Sequence, residues 1–319
     1  MSFIPVNPRL PGPLRNLQKI KYVRTVVTGI AYVTELLRTV PDFDVLHIFS
    51  ASYWSFVLAP TPVILIGRMY GRKTVLNYHS GEAEDHLTRW KSAVKTLRIP
   101  DKIVVPSGYL RDVFRKWDFD AEVIYNFVDF TRFRFRPRNP LRPVFLSNRN
   151  MMAMYNVGVI LRAFAIIQRQ YPDAVLTVAG DGPQRPMLED LARGLGLRNT
   201  TFTGQVSNQV MPELYDAADI YLNSSEIDNM PLSIIEAYAC GTPVVTTDPG
   251  GIPYILENER TGLLVPQRNP EALAEAAMRL LKEPGLAEKI IQNARAECEK
   301  YTWEATRQQW VDLYTGLAQ

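Results

Sequence analysis

The sequence predicts an α/β protein built as two successive parallel sheets with helices packed on their faces. Three observations carry that reading. A chain of 319 residues is long for a single core. Short β-branched runs alternate with helical stretches along almost its whole length, which is the pattern of parallel α/β layers. Residues 129–143, with FTRFRFRPRNPLRP as their core, interrupt the alternation with Arg and Pro and few helix formers, as a connection between units does.

Ahead of that connection, strands are expected near residues 3–6, 45–49, 74–78, 102–105 and 122–125, with helices near 14–37, 55–69 and 109–117. Beyond it come strand 144–147, helix 157–170 and strand 174–179, which ends in Gly180-Asp181-Gly182-Pro183. Helix 185–194, strand 200–203, helix 211–217 and strand 220–223 follow. In DNMPLSIIEAYACGTPVV, Leu232, Ile235 and Ala239 recur at helical spacing. Pro231 suits the first turn of that helix, Gly241 ends it and Pro243 prevents its restart. Strand 244–247, the turn Pro249-Gly250-Gly251, helices 271–281 and 286–300 and an amphipathic helix over 303–317 complete the chain. Residues 1–135 thus form a first domain, 140–300 a second, and 301–319 a closing helix.

Composition narrows the function. The chain is 46% hydrophobic and 22% charged, as globular proteins are, and its net charge of +3 is too small to argue for nucleic acid. Arg9, Arg15, Lys19, Lys21 and Arg24 all precede the first acidic residue, Glu35. That basic opening suits either a solvated helix face or peripheral contact with anionic headgroups or phosphorylated acceptors. Cys240 and Cys298 have no zinc or CxxC spacing, so a reducing cytoplasm is the expected compartment, extending to the inner membrane surface if the basic opening docks there. No signal peptide is evident, and the most apolar run, 26–40, is interrupted by Glu35 and Arg38 and falls short of the ~20 residues needed to span a bilayer.

In open α/β sheets, ligands sit outside the carboxyl ends of the strands. His79, Asn148, Arg149, Gly180, Asp228, Gly250 and Gly251 each follow such an end. The helix beginning after Pro231 adds free backbone amides, a natural anion site, with Glu236 about one turn inside it. An anion cradle beside a carboxylate suits a phosphate bonded to a sugar.

These residues resemble a known family. EAYACGTPVVTTDPGGIP is similar to the donor-site signature of retaining GT-B glycosyltransferases of family 4, and ENERTGLLVP resembles the family's hairpin. VAGDGP, FTGQV and LYDAADIYLNSS fall in the family's order, and the likeness runs from about Val45 to the C-terminus. It implies two Rossmann-like domains facing a cleft and transfer of a sugar from a nucleotide-diphosphate sugar to a hydroxyl, with retention and without a metal or other cofactor. It also implies a carbohydrate or lipid-linked acceptor.

The family's two signature acids, separated by seven residues, fall on Asp228 and Glu236, with Asp in place of the usual first Glu. By resemblance Asp228 contacts the transferred sugar and Glu236 the ribose hydroxyls. Asn229, Met230, Pro231 and Leu232 line sugar and phosphate, and Glu226 competes for the first acid's role. Arg149, beside Asn148, offsets diphosphate charge. The lysine usual about six residues later is replaced here by Tyr155 and Asn156 in MMAMYNVG, with Arg185 or Lys73 as candidate substitutes. Gly204, Gln205 and Val206 present backbone to the base. Gly180, Gly250 and Gly251 lie beside the donor, with Tyr254 where Glu is common.

In the first domain, His79 of LNYHSGEAEDH matches a histidine that approaches sugar or acceptor, with Glu82, Glu84, Asp85 and His86 as a polar loop around the acceptor hydroxyl. His47 reads as structural. The opening SFIPVNP looks like the second strand of such a domain, so the first βα unit is expected to be absent and self-association to follow from the open sheet. YTWEATRQQW matches the last helix, which in the family crosses back onto the first domain. Two other activities share the pattern: a nucleotide-sugar binder that hydrolyses slowly or not at all, and a sugar-nucleotide epimerase.

Overall fold

A computed structural model describes residues 2–10 and 12–318. The chain divides into two compact units, one of Met1–Ile124 with Gln309–Gln319 and one of Tyr125–Gln308.

The first unit holds a four-stranded parallel sheet of β1 (Val45–Ser50), β2 (Lys73–Tyr78), β3 (Lys102–Val105) and β4 (Ala121–Val123), in that spatial order. All of β2 after Lys73 is buried, as a strand covered on both faces by helices should be. Its helices are α1 (Val23–Thr39), α2 (Trp54–Leu58), α3 (Pro60–Met69), α4 (Ala83–Arg89), α5 (Lys91–Thr96) and α6 (Gly108–Arg115).

The second unit is a six-stranded parallel sheet of β5 (Val144–Ser147), β6 (Val175–Ala179), β7 (Thr200–Gly204), β8 (Ile220–Asn223), β9 (Val244–Thr247) and β10 (Leu263–Val265), ordered β10-β9-β8-β5-β6-β7. Its helices are α7 (Val157–Gln170), α8 (Arg185–Gly194), α9 (Met211–Ala217), α10 (Leu232–Cys240), α11 (Pro270–Lys282) and α12 (Pro284–Glu297). Successive side chains of one strand enter opposite layers: Phe145 and Leu222 join the core beneath α7 and α11, while Leu146 and Tyr221 join the core around α10. The final helix, α13 (Trp303–Ala318), places Leu313 and Leu317 against Val75 and Val104 of the first sheet.

The Arg-rich connection is pinned to the second unit by one carboxylate. Asp219 is 1% exposed and accepts from Arg136 at 2.5 Å and from Arg142 at 2.9 Å, with Arg138 at 3.7 Å. Arg138 is itself buried and caps backbone carbonyls of Tyr215 and Ala218.

Several expected elements differ. Residues 3–6 form no strand; Ile4 packs beside Tyr32 and Leu36 as irregular chain, since Pro5 and Pro8 flank a stretch with too few amides to join a ladder. The expected helix 14–37 is a 3-10 segment, Gly12–Lys19, followed by α1, the two parted at Tyr22 with φ 71°. Helix 55–69 is α2 and α3, restarted at Pro60. The expected hairpin of ENERTGLLVP is instead a tight turn leading into β10, which runs parallel to β9. Among the described residues no helix is long and apolar enough to cross a membrane.

Candidate functional site

The second unit gathers most of the expected residues at the carboxyl ends of β5, β8 and β9. Asn148, immediately after β5, donates to the Tyr215 hydroxyl at 2.7 Å and accepts from the Tyr221 hydroxyl at 2.8 Å. The Tyr215 hydroxyl also lies 2.9 Å from a Glu236 carboxylate oxygen and 2.9 Å from the Ser233 carbonyl. Two buried phenols thus fix both Asn148 and Glu236. Burial pushes the Glu236 carboxyl above its ordinary pKa, with the Tyr215 hydroxyl pulling it partly back. Among the described residues only one Glu236 oxygen has a hydrogen-bond partner, so the other is available to a hydroxyl donor.

Arg149 is a largely buried cation beside Asp228. Its guanidinium donates to Asp228 at 2.7 Å, approaches the Ser233 hydroxyl at 3.5 Å and lies 4.1 Å over the Tyr155 ring. Burial favours the neutral form, but Asp228 and the surrounding phenols outweigh it and hold its pKa above the ordinary value. Its Nε–H is buried with no partner. A buried, orphaned N–H on a charged group is costly unless a ligand satisfies it. Burial also raises the Asp228 carboxyl, and Arg149 offsets that only in part.

The loop from Asp228 to Pro231 is locked on both sides. The Asp228 carboxylate accepts from the Asn229 amide at 3.0 Å, and the Asp228 carbonyl accepts from the Gly251 amide at 3.1 Å. Gly251 touches Asn229 so closely that a Cβ there would lie 1.8 Å from the Asn229 carbonyl oxygen. Gly250 beside it has φ 51°. Met230 and Pro231 are buried while Leu232 is 36% exposed. Among the described residues no side chain caps α10, so its first amides precede any intrahelical acceptor, an arrangement that suits an anion.

Glu226 turns elsewhere. It accepts from Asn156 at 2.5 Å and pairs with Arg268, whose hydrogen bond is the main reason its pKa falls below the ordinary value. Gly180 and Gly204 bridge through a 2.9 Å backbone hydrogen bond at the ends of β6 and β7. Gln205 is exposed, and Val206 leans on the core around α10. Neither candidate for the missing lysine is free: Arg185 pairs with Glu189 at 2.8 Å, and Lys73, at the start of β2, lies 3.4 Å from Asp101.

His79 belongs to the first unit, just past the end of β2. It is half-buried beside the Phe49 ring, its Nε2 has no partner, and burial lowers its pKa, leaving a neutral imidazole. The expected polar loop after it is largely helix α4. There Glu84 pairs with Lys116 at 2.6 Å, Asp85 with Arg89 at 2.8 Å, and His86 is buried with its Nδ1 2.8 Å from the Tyr78 hydroxyl. His47 is structural in this fold: Asn77 lies 3.3 Å from one ring nitrogen and Tyr314 of α13 meets the other.

Tyr155, Tyr215 and Tyr221 are the residues that sequence reasoning passed over as site members. The signal for Tyr155 was present, since it stands where a cation was expected; its ring lies under the Arg149 guanidinium instead. Among the described residues no three His, Cys, Asp or Glu side chains gather as metal donors.

Comparison with known proteins gives the chain's family and fold. The profile described as "Glycosyl transferases group 1" matches residues 129–297, and that described as "Glycosyltransferase Family 4" matches residues 5–132. A glycogen synthase from Mycobacterium tuberculosis is 30% identical over 293 residues, covering 86% of this chain and 68% of its own. An uncharacterised glycosyltransferase from Methanocaldococcus jannaschii is 34% identical over 164 residues, covering 50% of this chain and 42% of its own. The chain spans about half the length or less of several curated relatives it matches. The crystal structure of Anabaena HepE in complex with UDP-glucose superposes with a TM-score of 0.78 at 20% identity, covering 89% of this chain and 82% of that one. The fold is GT-B.

Proposed function

The chain belongs to the group 1 glycosyl transferases, with a family 4 glycosyltransferase segment ahead of the matching region, and from that premise we propose that it moves a sugar from a nucleoside-diphosphate sugar to a hydroxyl acceptor. The observation that carries the reading is the placement of Arg149, with its orphaned Nε–H, and Glu236, with one unpartnered oxygen, around the uncapped start of α10. A diphosphate offers the anion that the guanidinium and helix amides lack, and a ribose diol offers the hydroxyl donor that Glu236 lacks.

In this reading the sugar's C1–O bond to phosphate breaks as the acceptor oxygen bonds to C1 on the same face, with retention. The acceptor's proton passes to an oxygen of the leaving phosphate. Such a reaction asks the protein for orientation and charge stabilisation more than for a strong base. Arg149 and the α10 amides supply positive charge, so no metal is needed to neutralise the leaving group. Asp228 orients the transferred sugar and holds Arg149; Asn148, Tyr215 and Tyr221 are its rigid support. Gly180, Gly204, Gln205 and Val206 line the base side, and His79 serves the acceptor hydroxyl as a neutral imidazole. The acceptor is a carbohydrate or a lipid-linked hydroxyl compound. Because HepE was solved with UDP-glucose, uridine donors come first.

The test is release of nucleoside diphosphate from a panel of UDP-, GDP- and ADP-sugars, with and without EDTA. Release from one donor, insensitive to EDTA and abolished by Glu236→Ala, supports the proposal. Release that requires a divalent cation overturns metal independence, and no binding or release with any donor overturns the whole reading. Stabilisation by one nucleotide without turnover supports the donor-binder alternative, which the absence of a second cation at Tyr155 and Asn156 favours.

A further inference from the structure

Helix α1 is apolar on two faces. Thr28, Tyr32 and Leu36 form its buried row. On another face Val23, Val26, Ile30 and Leu37 are 37%, 61%, 63% and 40% exposed. At about 100° per residue these four fall within about 60° of one another and centre about 150° from the buried row. The buried row anchors the helix to its unit; the second row is exposed. Ahead of the helix stand Arg9, Arg15, Lys19 and Lys21, with Arg24 in its first turn, all exposed. None of the five pairs with a carboxylate among the described residues, and the chain has no acidic residue before Glu35.

We propose that this face docks the protein on an anionic phospholipid surface, with the stripe of Val23, Val26, Ile30 and Leu37 entering the acyl boundary and the cations meeting lipid phosphates. A bilayer supplies both chemistries at once, hydrocarbon for the stripe and negative charge for the basic segment. Nucleic acid rewards the cations and leaves the stripe in water. A second copy covers the stripe, yet α1 carries one carboxylate, Glu35, against Arg24 and Arg38 and the cations ahead of them, so the basic segments stay uncompensated. Docking needs no sugar transfer, and vesicle binding and nucleotide release therefore succeed or fail independently.

The experiment is co-sedimentation of the purified protein with vesicles of phosphatidylcholine alone and of phosphatidylcholine with phosphatidylglycerol, at low and high salt. At low salt, partition onto the anionic vesicles is expected to exceed that onto neutral ones by about tenfold or more and to fall as salt screens the cations. Val26→Glu with Ile30→Glu, and separately Lys19→Glu with Lys21→Glu, are each expected to reduce that partition at least about fivefold. Both pairs of side chains are exposed, so circular dichroism melts matching the parent establish that folding is intact. Equal partition onto both vesicle types, or partition untouched by both variants, overturns the proposal. So does a dimer in solution that Val26→Glu with Ile30→Glu converts to monomer, because the stripe would then be a self-interface.

Discussion

Replacing Gly251 by Ala should damage the site far more than a single methyl group suggests. The added Cβ would lie 1.8 Å from the Asn229 carbonyl oxygen, whereas a comfortable contact is roughly 3.5 Å. The turn after β9 and the loop after β8 must therefore part by roughly 1.7 Å. That motion breaks the 3.1 Å hydrogen bond from the Gly251 amide to the Asp228 carbonyl. Overpacking costs about 1–3 kcal/mol, and leaving that buried amide unpaired adds about 1–3 kcal/mol. Together they predict a loss of about 2–6 kcal/mol. At roughly 3 °C per kcal/mol for a unit of this size, the midpoint of its unfolding falls by roughly 6–18 °C. Gly250→Ala is the comparison: its φ of 51° costs a side chain about 1–2 kcal/mol. Scanning calorimetry separates the two. Turnover adds a second readout, because a displacement of about 1 Å at Asp228 costs on the order of 100-fold in rate. If Gly251→Ala melts within about 1 °C of the parent and turns over normally, the coupling of the two loops is not what holds Asp228 in place.

Other outcomes follow from the same contacts. Tyr155→Leu removes the ring beneath Arg149 and should weaken nucleoside-diphosphate binding roughly 5- to 30-fold, from about 1–2 kcal/mol of cation–π attraction; Tyr155→Phe should bind nearly as the parent does. Asp219→Asn removes the charge shared by Arg136, Arg138 and Arg142, and urea melts should show the second unit losing about 3–5 kcal/mol. Acid should destabilise the first unit through two imidazoles. Burial lowers His47 and His86 from 6.5 to about 4, so between those values the unfolded chain binds protons that the folded unit does not. Their stabilisation is complete above pH 6.5 and is lost as pH falls toward 4, with a slope of up to about 1.4 kcal/mol per pH unit from each. Urea midpoints at pH 7 and pH 5 check it, and a midpoint unchanged or higher at pH 5 contradicts it.

The fold was legible where the physics is local or repetitive. Strands β2, β8 and β9 are buried along nearly their whole length, and their β-branched and aromatic residues mark them as strands in the sequence. Helix α10 is bounded by Pro231 and Gly241, both readable as single residues. What was missed depends on distant partners or on backbone detail. The break at Tyr22, with φ 71°, leaves no mark on the apolar periodicity that suggested one long helix. Helix α4 lay hidden in a charged stretch, although the Asp85–Arg89 pair at helical spacing was a clue. Glu226 appeared to compete with Asp228 because the two are near in sequence; its actual partner, Arg268, is 42 residues away. The family resemblance singled out Asp228 and Glu236, whereas Tyr215, which holds Glu236, and Tyr221, which holds Asn148, belong to helix α9 and strand β8, whose roles emerge only when the sheet is assembled.

Calorimetric titration of nucleosides and nucleoside diphosphates into the parent, Glu236→Ala and Arg149→Ala proteins tests the central claim most directly. One nucleoside diphosphate should bind. Losing a charge-assisted hydrogen bond of about 1.5–3 kcal/mol should weaken it roughly 10- to 150-fold in either variant. Glu236→Ala should weaken the parent nucleoside by a similar factor, because the ribose is common to both ligands, while Arg149→Ala should leave the nucleoside unaffected. A parent protein that binds no nucleotide, or one whose binding survives both substitutions, contradicts the assignment of this site to a nucleotide-sugar donor.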